Sequence, residues 1–288
     1  MRSITLLFIF TFLLTTAVPA QDQNPLRGRS SEPIEPYQVI GNIYYVGAVN
    51  ISSHIIVTPE GLILLDTGTA EMLPGIRTNI EKLDYTLKDV KIILSSHAHW
   101  DHVEGHAAMK ELTGAQVMAV GEDAAAIGSG IDSSAAGAQG WNPVRVDRVL
   151  EDLDTISLGG VTMQAHLTPG HTKGTTTWTT TVEESGKSYR VVFVGGTGIN
   201  RGVNLLNNTR YPGIIEDYAQ TFRVLKELKG EVFLAQHPSM YGMDDKLERL
   251  KTGAAKNPFI DPGGYRYFVE KEEGYYLKQL EEERSASR

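Results

Sequence analysis

Ser95-Ser96-His97-Ala98-His99-Trp100-Asp101-His102 places four potential metal ligands within six residues. The stretch directly follows Val90–Leu94, a short and mostly apolar run that predicts a buried strand. Side chains alternate along an extended chain, so His97 and His99 can point the same way. Where the chain then turns into a helix, Asp101 and His102 can point to a second position nearby. Because neutral imidazole and carboxylate are good ligands for Zn²⁺, the stretch predicts a metal site rather than a solvated polar loop.

A further histidine pair in this segment does not fit the helix of the zinc proteases. His102 and His106 are four residues apart, but Val103 stands where the motif His-Glu-x-x-His needs its glutamate. We therefore interpret His106 as a packing residue or as a residue that contacts a metal ligand.

Two more histidines, His171 and His237, come shortly after predicted strands further along the chain. Functional groups gather at the carboxyl ends of strands in open α/β sheets. A lone histidine there is often only structural, but the cluster at 97–102 favours a ligand role for both. Asp66 also ends a predicted strand, and it is either a turn residue or, as we favour, a carboxylate that orients a ligand histidine.

The predicted elements begin with strands and continue as alternating strands and helices. This order is typical of two sheets covered by helices within one domain. A loop rich in Gly, Ser and Ala is predicted over 128–141, and a turn over 183–186. Helices are predicted over 70–83, 103–112, 122–127, 215–228, 244–251 and 262–283. Strands are predicted over 37–40, 43–46, 54–57, 62–65, 90–94, 116–119, 155–158, 161–167, 175–182, 189–194 and 232–235.

The composition is that of an ordinary globular protein. The 288 residues are 41% hydrophobic and 22% charged, which is enough for a core. The formal net charge of -8 argues against a nucleic-acid or anionic-membrane partner, because no surplus of basic residues exists to replace counterions. The chain has no cysteine, so disulfides cannot contribute to its stability.

The first 20 residues predict a secretory signal peptide. Arg2 supplies a positive charge, and residues 4–14 form an apolar run that is broken only by threonines and is short for a membrane span. Small residues precede the expected cleavage site after Ala20. We expect a periplasmic or secreted protein without a membrane anchor, with an N-terminal arm over 21–36 and one domain over 37–288.

These motifs together resemble the metallo-β-lactamase superfamily. His97-x-His99-x-Asp101-His102 is joined by Asp66-Thr67-Gly68 upstream and by two single histidines downstream, and the resemblance runs from about Tyr37 to the end of the chain. It implies an α/β fold, a four-layer αββα sandwich of two mixed β-sheets flanked by helices. It also implies two Zn²⁺ ions, the first bound by His97, His99 and His171 and the second by Asp101, His102 and His237.

Finer features resemble the third β-lactamase subclass. Glyoxalase II and most lactonases of the superfamily have a metal-bridging Asp where this chain has Val194-Gly195-Gly196-Thr197-Gly198, which holds no carboxylate. The first two β-lactamase subclasses have a ligand cysteine there, and this chain has none. Stretches that look like the third subclass are 147–150, 167–178, 211–214 and 257–262.

The resemblance implies a monomeric β-lactamase that acts on penicillins, cephalosporins and carbapenems and confers antibiotic resistance. A hydroxide shared by the two zinc ions and oriented by the catalytic Asp101 would attack the β-lactam amide. Two alternatives stay open. One is a secreted lactone or thioester hydrolase that uses the same site, and the other is a non-catalytic zinc-binding protein. Three protein ligands at each metal leave positions open for water, which favours catalysis.

Substrate contacts are expected beside the second metal. The family usually has serines there, and Thr197 stands for one of them with its hydroxyl kept, whereas Ile199 would lose the other. Asn200 or Arg201 would then take over the contact with the substrate carboxylate. Further candidate contacts are Trp100 and Trp141, although simple packing is the plainer interpretation of Trp141.

Overall fold

Two β-sheets stacked face to face, with helices on both outer sides, make up the part of the chain that the computed structural model describes, residues 28–137 and 139–288. This confirms the predicted αββα sandwich. The expected signal peptide, 1–20, and the first part of the expected arm lie outside the described residues.

The first sheet has seven strands that lie side by side in chain order. Strands β1 to β4 are antiparallel and β4 to β7 are parallel, so the sheet is mixed. Each parallel connection needs a crossover, and helices supply it. The strands are β1 Tyr37–Ile40, β2 Ile43–Tyr45, β3 His54–Thr58, β4 Gly61–Leu65, β5 Val90–Leu94, β6 Gln116–Val120 and β7 Arg148–Leu150.

The second sheet has five strands in the order β12-β11-β10-β9-β8. Neighbours from β8 to β11 are antiparallel, and β12 joins β11 in parallel after a helical crossover. The strands are β8 Thr155–Leu158, β9 Val161–Leu167, β10 Thr176–Glu184, β11 Lys187–Val194 and β12 Val232–Ala235.

Helices cover the outer face of each sheet. The α-helices are α1 Leu73–Lys82, α2 Trp100–Val103, α3 His106–Thr113, α4 Gly121–Ser129, α5 Ile214–Glu227, α6 Met243–Lys251 and α7 Pro262–Ala286, and short 3₁₀ helices cover Gly28–Ser31, Ala70–Met72, Leu87–Asp89 and Pro238–Tyr241. The last helix continues through Gly274 without a break. Among the described residues, no helix is long and apolar enough to cross a membrane.

The hydrophobic core has two parts because the side chains of the first sheet alternate between its faces. Ile63 faces the second sheet and belongs to a cluster that continues to Trp178 and to Phe222 of α5. Its neighbour Leu64 faces the other way and packs in a cluster with Ile80 of α1. Burial of one such side chain contributes about 1.5–3 kcal/mol to the stability of the fold. Because many of them are buried between the layers, the two sheets are held in one fixed arrangement, and so are the ends of their strands.

The predicted helix 103–112 is wrong at its first turns, where the chain forms two helices, α2 and α3. The break falls at Gly105, whose backbone N–H donates to Gly68 O at 3.1 Å. A Cβ at Gly105 would lie 2.9 Å from Thr67 Oγ1, so a side chain would push this turn away. The break therefore lets residues 67–68 pack against the segment that holds the candidate ligands.

The strands differ from the predictions at two places. The predicted turn 183–186 is shorter, because β10 and β11 pair up to Glu184 and Lys187 and leave a two-residue turn at Ser185 and Gly186. Both turn residues have positive φ, 52° and 73°, which suits the twist of a tight hairpin. Strand β7 was not predicted, because it is short and mostly exposed and gains its order only by pairing with β6.

The described half of the expected N-terminal arm belongs to the fold. Val49 N donates to Glu32 O at 3.0 Å, and Asn50 N donates to Ser30 O at 3.2 Å. Ser30 and Ser31 are buried. Residues from 28 onward therefore extend the domain that was predicted to begin at 37.

Candidate metal centre

Six side chains from both sheets meet at the carboxyl ends of their strands. His97, His99, Asp101 and His102 follow β5, whereas one single histidine follows β9 and another follows β12. They form two triads, which we call the first triad (His97, His99 and His171) and the second triad (Asp101, His102 and His237). In each triad the potential ligand atoms lie within 4.8 Å of one another. The structure thus brings together all six predicted ligands.

The two triads are adjacent and share one space. The ring of His97 lies 4.3 Å from the ring of His102 between centroids, which links the first triad to the second. Within the first triad, His97 and His171 are 4.6 Å apart and His99 and His171 are 4.5 Å apart. In the second triad the rings of His102 and His237 are 5.1 Å apart. Two neighbouring cations could therefore be held.

Three of the histidines are held by groups that can only accept a hydrogen bond. Nδ1 of His171 lies 2.6 Å from Gly198 O, and Nδ1 of His237 lies 2.8 Å from Asn50 O. Nδ1 of His102 lies 3.2 Å from Asp66 Oδ2. Nδ1 therefore carries a proton in each ring, and Nε2 is the nitrogen left for a metal ion.

The other two histidines are each engaged by a serine. Ser96 Oγ donates to Asp66 Oδ2 at 2.7 Å, so its oxygen is left to accept from Nδ1 of His97 at 3.0 Å. His99 uses the opposite nitrogen, because its Nε2 lies 3.0 Å from Ser134 Oγ. Each of the five imidazoles therefore has one ring nitrogen bound to the protein and one left for a cation.

The residues of the second triad fit a divalent metal ion. Nε2 of His102 is fully buried and makes no hydrogen bond of good geometry among the described residues. It lies 3.3 Å from Asp101 Oδ2, and Nε2 of His237 lies 3.7 Å from the same oxygen. Two imidazole nitrogens and a carboxylate oxygen that converge without bonding to one another are typical of a metal site.

The pKa values favour neutral imidazoles in the first triad. Burial and the neighbouring imidazoles hold the pKa of His97 well below its usual value. Burial likewise lowers the pKa of His99 to about 4, against the opposing charge of Asp101. Burial and His99 lower the pKa of His171 to about 3. These three rings are neutral at neutral pH, so each has one nitrogen without a proton that can bind a cation directly.

The second triad is electrostatically different because it contains a carboxylate. Burial would raise the pKa of Asp101, but His102 and His237 outweigh it and hold that pKa well below the usual range. Burial would lower the pKa of His102, but Asp101 and Asp66 raise it to about 10. Burial and His102 lower the pKa of His237. Asp101 is therefore ionised at neutral pH, and without a metal ion His102 carries both ring protons and pairs with it. A metal ion that binds Nε2 of His102 would displace the second proton.

Asp66 lies where a carboxylate that orients a ligand should lie. Its backbone has a φ of 60°, a left-handed conformation that Asp tolerates better than most residues. Besides His102, its carboxylate accepts from Ser96 N at 2.7 Å and from Ser96 Oγ. One carboxylate thus contacts both triads, the second directly through His102 and the first through Ser96, which bonds His97.

Asp123 is a supporting residue that the sequence analysis missed. Its buried carboxylate accepts from Ala98 N at 2.7 Å, from Thr172 Oγ1 at 2.6 Å and from Gly174 N at 2.8 Å. It therefore ties the loop after β5 to the loop that carries His171. Burial raises the pKa of Asp123 to about 6, although these hydrogen bonds oppose the shift. An acidic residue in the first turn of a helix is common, so its sequence context gave no signal.

His106 is not placed as a ligand. Its Nδ1 lies 2.7 Å from Thr67 Oγ1 and its Nε2 lies 2.8 Å from Ser95 Oγ, so both ring nitrogens are engaged by the protein. This agrees with its interpretation as a packing residue next to the ligands.

The loop after β11 carries the expected substrate contacts. Thr197 is 2% exposed, and its hydroxyl donates to Glu272 Oε2 at 3.3 Å, which directs it into the protein. Ile199 and Asn200 are half-buried and Arg201 is exposed. Contacts of these residues with a substrate stay a prediction, and for Thr197 the hydroxyl would have to leave Glu272.

The same loop has no room for a bridging carboxylate at its centre. A Cβ at Gly196 would lie 2.2 Å from Cδ2 of His171, so a side chain there would collide with a ligand ring. The glycine allows the loop to pass close to His171, whose Nδ1 bonds Gly198 O. This geometry agrees with a turn at 194–198 that holds no carboxylate.

Both candidate tryptophans pack in the protein interior. Trp100 is 6% exposed and Trp141 is 7% exposed, and both belong to the hydrophobic cluster on the outer face of the first sheet. The packing interpretation of Trp141 agrees with this burial. A contact of either indole with a substrate stays a prediction.

Comparisons with known proteins agree with the geometry. The sequence profile described as the metallo-beta-lactamase superfamily matches residues 46–237. The native FEZ-1 metallo-β-lactamase of Legionella gormanii is 38% identical, with a TM-score of 0.85, over 88% of this chain and 97% of that one. BJP-1 of Bradyrhizobium japonicum, a subclass B3 metallo-β-lactamase, is 36% identical, with a TM-score of 0.85, over 91% of this chain and all of that one.

Two further relatives differ in how far the similarity extends. A metallo-β-lactamase of Cronobacter sakazakii with the motif HARLDQ is 34% identical, with a TM-score of 0.83, over 88% of this chain and 97% of that one. This chain has His-Ala-His-Trp-Asp-His at 97–102. A probable metallo-hydrolase of Burkholderia pseudomallei is 30% identical over 112 residues, which are 38% of each protein. Because the superfamily profile covers most of the chain and the two triads lie within it, the chain belongs to the metallo-β-lactamase superfamily.

Proposed function

We propose that this protein is a two-zinc β-lactamase of the third subclass, which hydrolyses the amide of β-lactam antibiotics and confers resistance to them. The observation that carries the proposal is that all five imidazoles have one ring nitrogen bound to the protein and the other directed to one shared space. Three protein ligands at each position leave room for a water and a substrate. The likeness to FEZ-1 and BJP-1 supports β-lactams as the substrate class.

The chain's own residues divide the work of the reaction. Zn²⁺ bound at the triads would supply Lewis-acid activation of the lactam carbonyl and a water of lowered pKa. Asp101, ionised and largely buried, would orient the attacking water. Asp66 and Asp123 keep the ligand loops in place, so that little rearrangement is needed when substrate binds. The ring nitrogen would take its proton from water as the amide bond breaks, and no nucleophilic serine is required.

The direct test is a comparison of substrates on the zinc-loaded protein. Hydrolysis rates are measured with a chromogenic cephalosporin, a penicillin and a carbapenem, and in parallel with an acyl-homoserine lactone and a thioester. We expect hydrolysis of β-lactams, lost in His237→Ala and kept in His166→Ala, whose imidazole lies outside both triads. Lactone or thioester turnover without β-lactam turnover would show the other hydrolase, and no turnover at all would favour a zinc-binding protein.

We further propose that the protein is exported and loses residues 1–20. The support is the pattern of a charged start, an apolar run and small residues before Gln21. Expression in a bacterium with an outer membrane, followed by fractionation and N-terminal sequencing, tests this. A periplasmic protein that begins at Gln21 is expected, and an uncleaved cytoplasmic protein would contradict export.

A further inference from the structure

A small internal cavity lies between the two sheets, next to the residues that hold the ligand histidines. It is lined by the start of β3 and by the carboxyl ends of β4, β5, β11 and β12, and His54, Asp66, Ser96 and Gln236 are among its lining residues. Each lining residue is at most 4% exposed. The volume open to the centre of a water molecule is about 10 Å³. That is about the space that one buried water needs.

His54 is the unusual member of this lining. Its side chain is fully buried, and its Nε2 has no hydrogen-bond partner among the described residues. The ring is otherwise held by aromatic edges, with Tyr45 at 5.3 Å and Phe193 at 5.4 Å between centroids. Burial lowers the pKa of His54 to about 3, so the ring is neutral and has one N–H. A buried polar atom without a hydrogen-bond partner is unfavourable, and in most such cases an ordered water supplies the missing hydrogen bond.

Asp66 has one acceptor position left on the other side of the same cavity. Its Oδ2 accepts from Ser96 Oγ and His102 Nδ1, whereas its Oδ1 accepts only from Ser96 N within the described part of the chain. A carboxylate can accept about four hydrogen bonds. The cavity therefore has a buried ring nitrogen and an incompletely used carboxylate oxygen in its wall.

Gln236 makes the opposite wall polar as well. In the orientation that satisfies its hydrogen bonds, its amide nitrogen donates to Val194 O at 3.0 Å and to Gly195 O at 3.2 Å. The cavity is thus bounded by groups that belong to both sheets. A water here has several polar neighbours, which is the condition for stable occupancy.

We propose that one ordered water occupies this cavity and joins His54 Nε2 to Asp66 Oδ1, which makes His54 a positioning residue for His102. With the proton of the neutral ring assigned to Nε2, that N–H donates to the water, and the water donates to the carboxylate. Asp66 then keeps its orientation, and with it the hydrogen bond to His102 Nδ1, while its remaining acceptor is filled. The inference rests on the metal centre of the proposed function but not on its substrate.

The water itself is tested by crystal structures of the protein with and without zinc, at a resolution that shows ordered water. We expect one fully occupied water within hydrogen-bonding distance of His54 Nε2 and Asp66 Oδ1 in both structures. A dry cavity, or a direct bond between the two side chains, would overturn the proposal. This result is independent of any β-lactam hydrolysis.

The positioning role is tested by three variants loaded with Co²⁺. His54→Phe removes the ring nitrogen, His54→Gln keeps a polar group, and Ile56→Val is a control on the same strand that alters only packing. Release of Co²⁺ from the second triad to a chelator is followed through its absorption spectrum, with the free energy of unfolding measured alongside. His54→Leu replaces His54→Phe if the latter does not fold.

We expect His54→Phe to release the second-triad ion about 3- to 10-fold faster, less than the about 10- to 100-fold effect of a residue that contacts a ligand directly. His54→Gln should lie close to the wild type, and Ile56→Val should match the wild type even where it is less stable. Equal release from His54→Phe and the wild type, or equally fast release from Ile56→Val, would overturn the positioning role. A protein that takes up no Co²⁺ at all would instead contradict the metal centre.

Discussion

The two sides of the metal centre are built differently. One side, which we call the loop side, is a single segment after β5, a loop that continues into α2. It supplies four ligands in six residues, all of them at least 93% buried. The other side consists of His171 and His237, which come from two different strands of the second sheet. The His237 side chain is 28% exposed, and the backbone carbonyl Asn50 O accepts a hydrogen bond from its ring.

The two sides therefore differ in how their ligands are held in place. The loop after β5 is fixed by two buried carboxylates, Asp66 and Asp123, which bond its backbone and its side chains. The two isolated histidines depend on the stacking of the sheets to arrive at the same place. We expect changes in the loop to affect both folding and metal binding, and changes in the isolated histidines to affect metal binding alone.

Removal of the metal should have the largest effect on β-lactam hydrolysis, because the ligands of both sides then have no metal ion to bind. Dialysis against a chelator should lower β-lactam hydrolysis by at least about 1000-fold, since a metal ion supplies several kcal/mol to such a reaction. Addition of Zn²⁺ should restore it, and Mg²⁺ serves as the control ion. Full activity in a protein shown to be free of metal would contradict the proposal that the ligands of both sides act by binding metal.

His102→Ala and His237→Ala compare the two sides directly, because each removes one ligand of the second triad from a different side. Both should weaken the second metal and reduce hydrolysis by about 100-fold or more. In the metal-free protein, His102→Ala should also lower the free energy of unfolding by about 3–5 kcal/mol, because it leaves Asp66 and Asp101 buried without their partner. His237→Ala should change it by less than about 1 kcal/mol. Chemical denaturation of both variants measures the difference, and equal losses would contradict it.

Asp123 gives the loop side a pH dependence of stability. Its pKa is about 6 in the folded protein and 3.8 in the reference state, so the folded protein binds this proton more tightly. The stabilising contribution is complete below about pH 3.8 and is lost as the pH rises to about 6. The free energy of unfolding of the wild type relative to Asp123→Asn should therefore fall by up to about 3 kcal/mol over this range.

Denaturation of the two metal-free proteins between pH 4 and 7 measures this difference. The other titrating groups are common to both, so they cancel in the comparison. Asp147→Asn is the control, since that carboxylate lies at the surface near Lys110, and although burial would raise its pKa, its hydrogen bonds with Lys110 and Val117 N lower it. Parallel curves for the wild type and Asp123→Asn would contradict the raised pKa.

Ser134→Ala should have the smallest effect and should be confined to the first triad. It removes the hydroxyl that lies 3.0 Å from His99 Nε2, but Asp132 lies 3.9 Å from the same nitrogen and can partly replace it. We expect the affinity for the first metal to fall by less than about 10-fold, below the range for a sole partner, and the affinity for the second to stay unchanged. Titration with Zn²⁺ and a competing chelator measures both, and an equal loss at the two triads would contradict the assignment of Ser134.

The loop side could be predicted from the sequence because its geometry is local. Four ligands within six residues, after a strand, leave few other interpretations. His171 and His237 could be predicted only through the positions of their strands. Asp123 could not be predicted, because Ala98, Thr172 and Gly174 approach it only after the two sheets have stacked.

Other departures from the predictions have the same origin. The break at Gly105 results from the approach of residues 67–68, which are distant in sequence. Strand β7 is held by its pairing with β6, and the described part of the arm is held by hydrogen bonds with Val49 and Asn50. The burial of the Thr197 hydroxyl depends on Glu272 of α7, a contact that spans 75 residues.

The central claim is that the two triads bind two zinc ions side by side. The most direct test is a crystal structure of the zinc-loaded protein with anomalous diffraction measured at the zinc absorption edge. The account predicts two peaks, one bound by His97, His99 and His171 and the other by Asp101, His102 and His237. A single peak, or peaks away from these side chains, would contradict it.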